Sequence, residues 1–150
     1  MGLSKRYLDR NTSPVKFDPV DLADGLEREC PEIIFSLLIG SAADGLINPH
    51  SDLDLAVFLE DKASLSLYSR VNEICDKIVP GIRCDLGILN NSEPVFRFEA
   101  LKGRLLFTRD QEVWLKFYSL TCREYEHWMY HYEKQKRYRL ELHGGGSIHG

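Results

Sequence analysis

Two aspartates, Asp52 and Asp54, stand two residues apart in a segment where apolar residues otherwise alternate as far as Leu59. That alternation predicts a β-strand. Because side chains on a strand alternate between its two faces, both carboxylates leave the same face. Adjacent carboxylates repel each other unless a cation lies between them, and oxygen ligands suit Mg²⁺ or Mn²⁺. The pair therefore predicts a site for a divalent metal ion.

A third aspartate, Asp85, lies in the next predicted strand, which runs from Ile82 to Leu89. The residues that alternate with it are apolar and face away from it. If the two strands are neighbours in the sheet, Asp85 completes a site of three carboxylates. Such a site can hold two metal ions, of which one activates an attacking hydroxyl and the other steadies a triphosphate and its leaving group.

A glycine and a serine, Gly40-Ser41, follow the apolar segment Ile33 to Ile39. That segment predicts a strand covered on both faces. The polar stretch from Gly40 to Pro49 has room for about one or two helical turns. Because the start of a helical turn presents free N–H groups, it suits a phosphate, and the Ser41 hydroxyl adds a donor. These residues therefore predict a triphosphate cradle that precedes the metal-binding strand.

The whole chain has 150 residues and a formal net charge of -4. That length is enough for one domain with a core, and the charge gives no reason to expect a direct nucleic-acid partner. The four cysteines form no CxxC pair, which argues against a zinc ribbon and indicates reduced thiols in a cytoplasmic protein. Residues 1–11 are charged and lack the apolar core of a signal peptide, and no apolar run approaches the length that crosses a membrane, so we expect neither feature.

The remaining pattern predicts the elements that position these residues. We expect a helix starting at Asp18-Pro19, a helix over Ser64 to Val79, a short helix over Pro94 to Leu101, a short strand over Arg104 to Thr108, and a long helix from Asp110 to about Arg139. The order of elements argues for the α/β (α+β) class, with a sheet packed against helices. We expect a lead-in over residues 1–17, one domain over residues 18–142, and a disordered Gly-rich tail over residues 143–150.

The segment from Ile39 to Phe58, IGSAADGLINPHSDLDLAVF, resembles the signature of the nucleotidyltransferase superfamily of polymerase-beta type. The resemblance continues through RCDLGILN, which is similar to the strand of the third aspartate, and through PVFRFEALKGRLLFTRD, which is similar to the helix and strand that follow. It covers roughly residues 20–140. In its small size the chain resembles the minimal nucleotidyltransferases (MNT), which are paired with HEPN-domain proteins in toxin–antitoxin operons.

This resemblance implies a polymerase-beta-like nucleotidyltransferase fold, with a mixed sheet flanked by helices and a long C-terminal helix. It implies that Gly40 and Ser41 bind the nucleotide phosphates. It also implies that Asp52 and Asp54 hold Mg²⁺, and that Asp85 completes the metal site and helps to activate the acceptor hydroxyl. The sequence departs from the family at Asp44, where many members carry an arginine that can contact phosphate.

On this resemblance, the chain is an antitoxin that uses ATP and Mg²⁺, with two ions in the site. It transfers AMP to a tyrosine hydroxyl of a cognate HEPN toxin, which is a ribonuclease. One alternative is a catalytically weak antitoxin that neutralises the toxin by direct binding, an idea motivated by Asp44. Another is a small-molecule nucleotidyltransferase, although those enzymes usually carry an additional substrate domain. The aspartate pair is also compatible with a solvated strand end, and His127 and His131 with surface residues.

Overall fold

The computed structural model describes residues 13–149, and the side chains of residues 13–143. Its elements in chain order are β1 (Val15–Lys16), α1 (Pro19–Glu29), β2 (Ile33–Ile39), a 3₁₀ helix (Gly40–Asp44), β3 (Leu46–Ile47), β4 (Leu53–Leu59), α2 (Leu65–Ile78), β5 (Cys84–Ile88), α3 (Pro94–Leu101), β6 (Arg104–Thr108) and α4 (Gln111–His149).

The central sheet has four strands in the order β5-β4-β2-β6. β2 is antiparallel to β4 and to β6, whereas β4 and β5 are parallel. The sheet is therefore mixed and is flanked by helices, which confirms the predicted fold class. α2 makes the crossover connection that the parallel pair β4 and β5 requires.

Side-chain caps start three of the helices. Asp18 Oδ1 accepts a hydrogen bond of 2.9 Å from the N–H of Val20 at the start of α1. The Ser64 hydroxyl accepts one of 3.1 Å from Leu67 N–H at the start of α2. Asp110 Oδ1 does the same for the first turn of α4, with distances of 3.0 and 3.2 Å. These caps satisfy N–H groups that a helix start leaves without partners, and they confirm the predicted starts at Asp18 and Asp110.

The two faces of the sheet are packed by different residue types. The face covered by α1 and α2 is aliphatic, and its buried residues include Leu22, Leu26, Leu55, Val57, Val71 and Ile74. We call the other face, covered by α3 and α4, the aromatic face, because Phe35, Phe58, Trp114 and Phe117 pack there. Phe35 is central to it, with its ring stacked on Phe58 at 5.0 Å and edge-on to Trp114 at 4.9 Å.

A second, two-stranded sheet pairs β1 with β3 and was not predicted. Two residues are too short to show the alternation that marks a strand. Gly45, just before β3, has φ of +89°, and its backbone approaches so closely that a Cβ there would lie 2.7 Å from the carbonyl oxygen of Phe17. The N–H of Phe17 also donates to the carbonyl of Gly45 over 2.9 Å, so this contact ties the chain before α1 to the loop after β2.

The predicted bounds at the two ends of the chain agree only in part with the structure. Residues 1–12 of the predicted lead-in lie outside the described residues. The long helix α4 continues to His149, past the predicted end near Arg139, and the domain bounds stay a prediction. Beyond Glu126 its described side chains are exposed apart from the partly buried Met129. In the part of the chain that the structure describes, no helix combines the length and apolar character needed to cross a membrane.

Candidate active site

Asp54 and Asp85 are direct neighbours across the parallel pair β4 and β5. In the same register Leu53 pairs with Cys84 and Leu55 with Leu86, and these four side chains belong to the aliphatic core. Since side chains alternate along each strand, Asp54 and Asp85 both leave the opposite, aromatic face. The structure therefore makes the two strands neighbours and brings these two predicted site residues together on one face of the sheet.

Gly40 lies on the other side of Asp54, at the end of β2. Its neighbour Ile39 pairs with Asp54 across the antiparallel strands. Gly40 has φ of +77°, and a Cβ on it would lie 3.6 Å from Asp54 Oδ2. That distance is ordinary contact, so the positive φ, and not a lack of space, is what favours glycine at this turn. The turn places the start of the 3₁₀ helix directly beside the Asp54 carboxylate.

The 3₁₀ helix that follows is a single short turn from Gly40 to Asp44. Ser41 and Asp44 are exposed on it, whereas Ala42 is buried against the aliphatic core. Ala42 thus anchors the turn, and the N–H of Gly45 closes it by donating to the Ala42 carbonyl over 3.0 Å. The helical turn that the sequence predicted is present, and Ser41 is exposed on it, directly after the glycine that adjoins Asp54.

Asp52 is the outermost of the three aspartates. It precedes the first residue of β4 and is exposed, as is Asp85, whereas Asp54 between them is partly buried. The strand start is fixed by the N–H of Leu53, which donates to the carbonyl of Arg83 over 2.8 Å. The three carboxylates therefore lie at one corner of the sheet, where β4 and β5 begin and β2 ends.

The surroundings of Asp54 raise the pKa of its carboxyl above the ordinary value of 3.8. Burial is the largest cause, because it disfavours the charged form, and the negative charges of Asp85 and Asp52 act in the same direction. A cation at this corner would offset all three causes. A bound cation would thus favour the ionised form of the Asp54 carboxyl.

The donor set at this corner fits a hard divalent cation, because its three carboxylates supply the oxygen ligands that such cations prefer. Within residues 13–143, however, no group of three or more His, Cys, Asp or Glu side chains is arranged as a metal site. The register places the Asp54 and Asp85 backbones side by side without converging the three carboxylates on one point. The fit therefore rests on donor chemistry and on the charge that surrounds Asp54.

One neighbour of the site was not predicted. A Cβ on Gly87 would lie 2.6 Å from Cζ of Phe96, so the ring of this α3 residue rests directly on the β5 backbone. Gly87 is two residues beyond Asp85 and shares its face of the strand. A glycine inside a predicted strand indicates a close approach by another group, and Gly87 is the residue that could have signalled this contact.

Two other sets of candidate ligands lie away from this corner. His127 and His131 are exposed on α4, with ring centroids 4.3 Å apart. Cys75 and Cys84 lie in the aliphatic core with their sulfur atoms 3.3 Å apart. The hydrogen bond that the Cys75 thiol donates to the Cys84 sulfur and the burial of Cys75 both raise the pKa of the Cys75 thiol, which keeps it protonated. These cysteines therefore have the environment of packed structural thiols.

Comparison with known families identifies the domain. The family model described as "Polymerase beta, Nucleotidyltransferase" matches residues 21–112, which is more than half of the chain. The match includes Gly40, Ser41 and all three aspartates. None of the curated proteins compared with this chain matches it.

Solved structures show the same fold at low sequence identity. A mutant of the toxin–antitoxin MntA-HpeT aligns with a TM-score of 0.66 and 17% identity, covering 82% of this chain and 98% of that one. A toxin–antitoxin structure with AMP-PNP aligns with a TM-score of 0.64 and 18% identity, covering 82% and 98%. A complex of tri-AMPylated Shewanella oneidensis HEPN toxin with MNT antitoxin gives 0.60 and 17%, covering 81% and 95%.

Proposed function

Because this chain belongs to the polymerase beta nucleotidyltransferase family, we propose that it transfers AMP from ATP to a protein hydroxyl. We further propose that it is the antitoxin of a HEPN/MNT pair and that the acceptor is a tyrosine of the cognate HEPN toxin. The register of Asp54 with Asp85, with Gly40 at the adjoining strand end, is the observation that carries the proposal.

The similar structures support the choice of substrate and partner. They include a toxin–antitoxin structure with the ATP analogue AMP-PNP and a complex in which the HEPN toxin is AMPylated. In this chain, Gly40 and Ser41 would hold the nucleotide phosphates, and Asp52, Asp54 and Asp85 would hold Mg²⁺, with two ions. The cation would neutralise charge on the triphosphate and its leaving group.

The residues of this chain then have distinct tasks in the transfer. The phenolic oxygen of the acceptor forms a bond to the α-phosphorus of ATP, and the bond from that phosphorus to its bridging oxygen breaks. Pyrophosphate leaves with the electron pair, while the phenolic proton passes to Asp85 and then to solvent. Gly40 and Ser41 hold the departing phosphates through N–H and hydroxyl donors. Positioning and neutralisation of charge supply most of the rate in such transfers.

A second candidate function is neutralisation of the toxin by direct contact, without AMP transfer. Two observations favour it. The exposed Asp44 ends the turn that would hold the phosphates and adds negative charge there. The distal part of α4 exposes Trp128 and Tyr132, whose stacked rings are 5.3 Å apart, and aromatic residues are favoured at the centres of protein interfaces.

Incubation of the purified chain with the cognate HEPN protein, MgCl₂ and ATP labelled at the α-phosphate tests the proposal. We expect label on the HEPN protein with the wild type, none with Asp52→Ala, and loss of toxin neutralisation by that variant in cells. Absence of label, together with equal protection of cells by both proteins, would contradict AMP transfer. If both proteins also bind the toxin equally, that result supports neutralisation by contact.

A further inference from the structure

The Phe96 ring lies on the face of the sheet that carries the aspartates. An added Cβ on Gly87 would lie 2.6 Å from Cζ and 3.2 Å from Cε1 of this ring, so only glycine at position 87 leaves the ring in place. Gly87 pairs with Ala56, two residues further along the strands than the pair of Asp85 with Asp54. A step of two residues along a strand is about 6.6 Å, so the ring adjoins the position of Asp85.

The helix that carries the ring is fixed to the sheet, but the ring is not enclosed. The next residue, Arg97, donates from Nε to the carbonyl of Leu89 over 3.0 Å and from Nη2 to the carbonyl of Asn90 over 2.5 Å. Its Nη1 also lies 3.5 Å from Glu124 of α4. These contacts fix α3 against the end of β5. Even so, Phe96 remains 37% exposed, whereas Phe35 and Phe117 on the same face are 0% and 6% exposed.

The position of this ring relative to the phosphates decides which substrate it meets. In the proposed function, the phosphates lie at Gly40-Ser41, beyond the end of β2. β4 lies between β2 and β5, so Asp85 and Phe96 are on the side of Asp54 away from those phosphates. In an in-line displacement the nucleophile enters opposite the leaving group. The acceptor hydroxyl therefore approaches from the β5 side, where the ring of Phe96 is exposed.

We propose that Phe96 is the residue that selects the acceptor, by packing against the aromatic ring of a tyrosine whose hydroxyl is modified. The inference rests on the proposed function and deepens it. Two aromatic rings attract each other beyond the area that they bury, with centroids 4.5–7 Å apart. The shorter side chains of serine and threonine have no ring to fill this contact. A ring that is already fixed loses little entropy when the acceptor binds.

The test separates binding of the acceptor from binding of the nucleotide. AMP transfer to the cognate HEPN protein is measured at increasing concentrations of that protein for wild type, Phe96→Ala and Phe96→Tyr. Affinity for the α,β-methylene analogue of ATP is measured with MgCl₂ by calorimetry. Tyr68→Ala is the matched control, because Tyr68 is also 37% exposed but belongs to α2, which covers the aliphatic face. Thermal unfolding of each variant checks that it is folded.

We expect Phe96→Ala to raise the KM for the HEPN protein about tenfold while the Kd of the ATP analogue changes less than about twofold. Phe96→Tyr should retain the wild-type KM, and Tyr68→Ala should change neither quantity. Mass spectrometry of the wild-type product should place AMP on a tyrosine.

An unchanged KM in Phe96→Ala, an equal loss of affinity for the ATP analogue, or AMP on a serine or threonine would each overturn the role of Phe96. Each of these results leaves AMP transfer to a protein hydroxyl standing, since the wild type still labels its partner, although AMP on a serine or threonine would also overturn the tyrosine acceptor. If the wild type labels nothing, the proposed function itself fails and the role of Phe96 fails with it. The two failures are therefore distinguishable.

Discussion

Two carboxylates beside the central sheet have opposite electrostatic surroundings. Glu32, just before β2, receives hydrogen bonds from both terminal nitrogens of Arg70, at 2.7 and 2.5 Å. This pairing lowers the pKa of the Glu32 carboxyl below its ordinary value of 4.5. Asp54 has no such partner among the described residues, and burial together with Asp85 and Asp52 raises its pKa. Folding therefore favours the charge of Glu32 and opposes the charge of Asp54.

The difference separates a structural carboxylate from a functional one. Arg70 also donates to the carbonyl of Glu29 over 2.9 Å, so the Glu32–Arg70 pair joins α2 to the segment between α1 and β2. The charge of Glu32 is therefore paired by a residue of the fold itself. At the aspartate corner, formed by Asp52, Asp54 and Asp85, the neighbouring charges that shift the pKa of Asp54 are by contrast both negative. Such unfavourable arrangements occur where a ligand is to be bound. Four predictions test this division.

The largest expected effect is on catalysis at the aspartate corner. Asp54→Asn keeps the shape of the side chain but removes its charge, so AMP transfer to the cognate HEPN protein should fall on the order of 10³-fold. The free energy of unfolding should not decrease, because the lost charge was disfavoured by folding. Labelled transfer and chemical unfolding measure the two quantities. Asp24→Asn, an exposed substitution on α1, is the control that should change neither. A large loss of stability in Asp54→Asn would instead mark the residue as structural.

A smaller effect is expected from Mg²⁺ on stability. Ligands that bind only the folded state stabilise it by about 2.7 kcal/mol at 100 times Kd. We expect MgCl₂ to raise the unfolding temperature of the wild type and of Glu32→Gln, but not that of Asp54→Asn. Differential scanning fluorimetry with and without MgCl₂ measures this, with EDTA as the reference. Equal shifts in all three proteins would show that Mg²⁺ binds elsewhere.

The two carboxylates also show what could be predicted from the sequence. Asp54 and Asp85 each lie in a strand with clear alternation, and that alternation predicts the face from which each side chain leaves. Once the structure pairs the two strands, the two aspartates share a face and lie near Gly40. The contact of Glu32 with Arg70 joins residues 38 positions apart and has no local pattern. The ring of Phe96 on Gly87 likewise depends on how α3 packs on the sheet. Local patterns thus predicted the helices and the longer strands, whereas the short strands β1 and β3, the pairing of β4 with β5 and the contacts set by packing were visible only in the structure.

A third prediction concerns the structural carboxylate. Glu32→Gln should lower the free energy of unfolding by about 1 kcal/mol, the upper range for partly exposed ion pairs, because its bond to Arg70 is bidentate. AMP transfer should be unchanged after correction for the folded fraction. Glu112→Gln is the matched control, since Glu112 forms an ion pair with Lys116 whose two side chains are both 76% exposed. That substitution should cost less than about 0.5 kcal/mol. A loss of AMP transfer by Glu32→Gln without a loss of stability would contradict the assignment of Glu32 as a purely structural carboxylate.

The smallest expected effect is the pH dependence of stability, which should have opposite signs for the two groups. The pKa of Glu32 is lowered in the folded state. The contribution of its charge to the free energy of unfolding is therefore fully present above pH 4.5 and is lost as the pH falls through the lower pKa of the folded state. The advantage of the wild type over Glu32→Gln should therefore shrink below pH 4.5. The pKa of Asp54 is raised above 3.8, so stability is lost as pH rises through the folded value. In EDTA, the wild type should lose stability relative to Asp54→Asn as pH rises above 3.8. Urea unfolding between about pH 3 and pH 7 measures both differences, and slopes of the same sign would show that the two carboxylates do not have opposite environments.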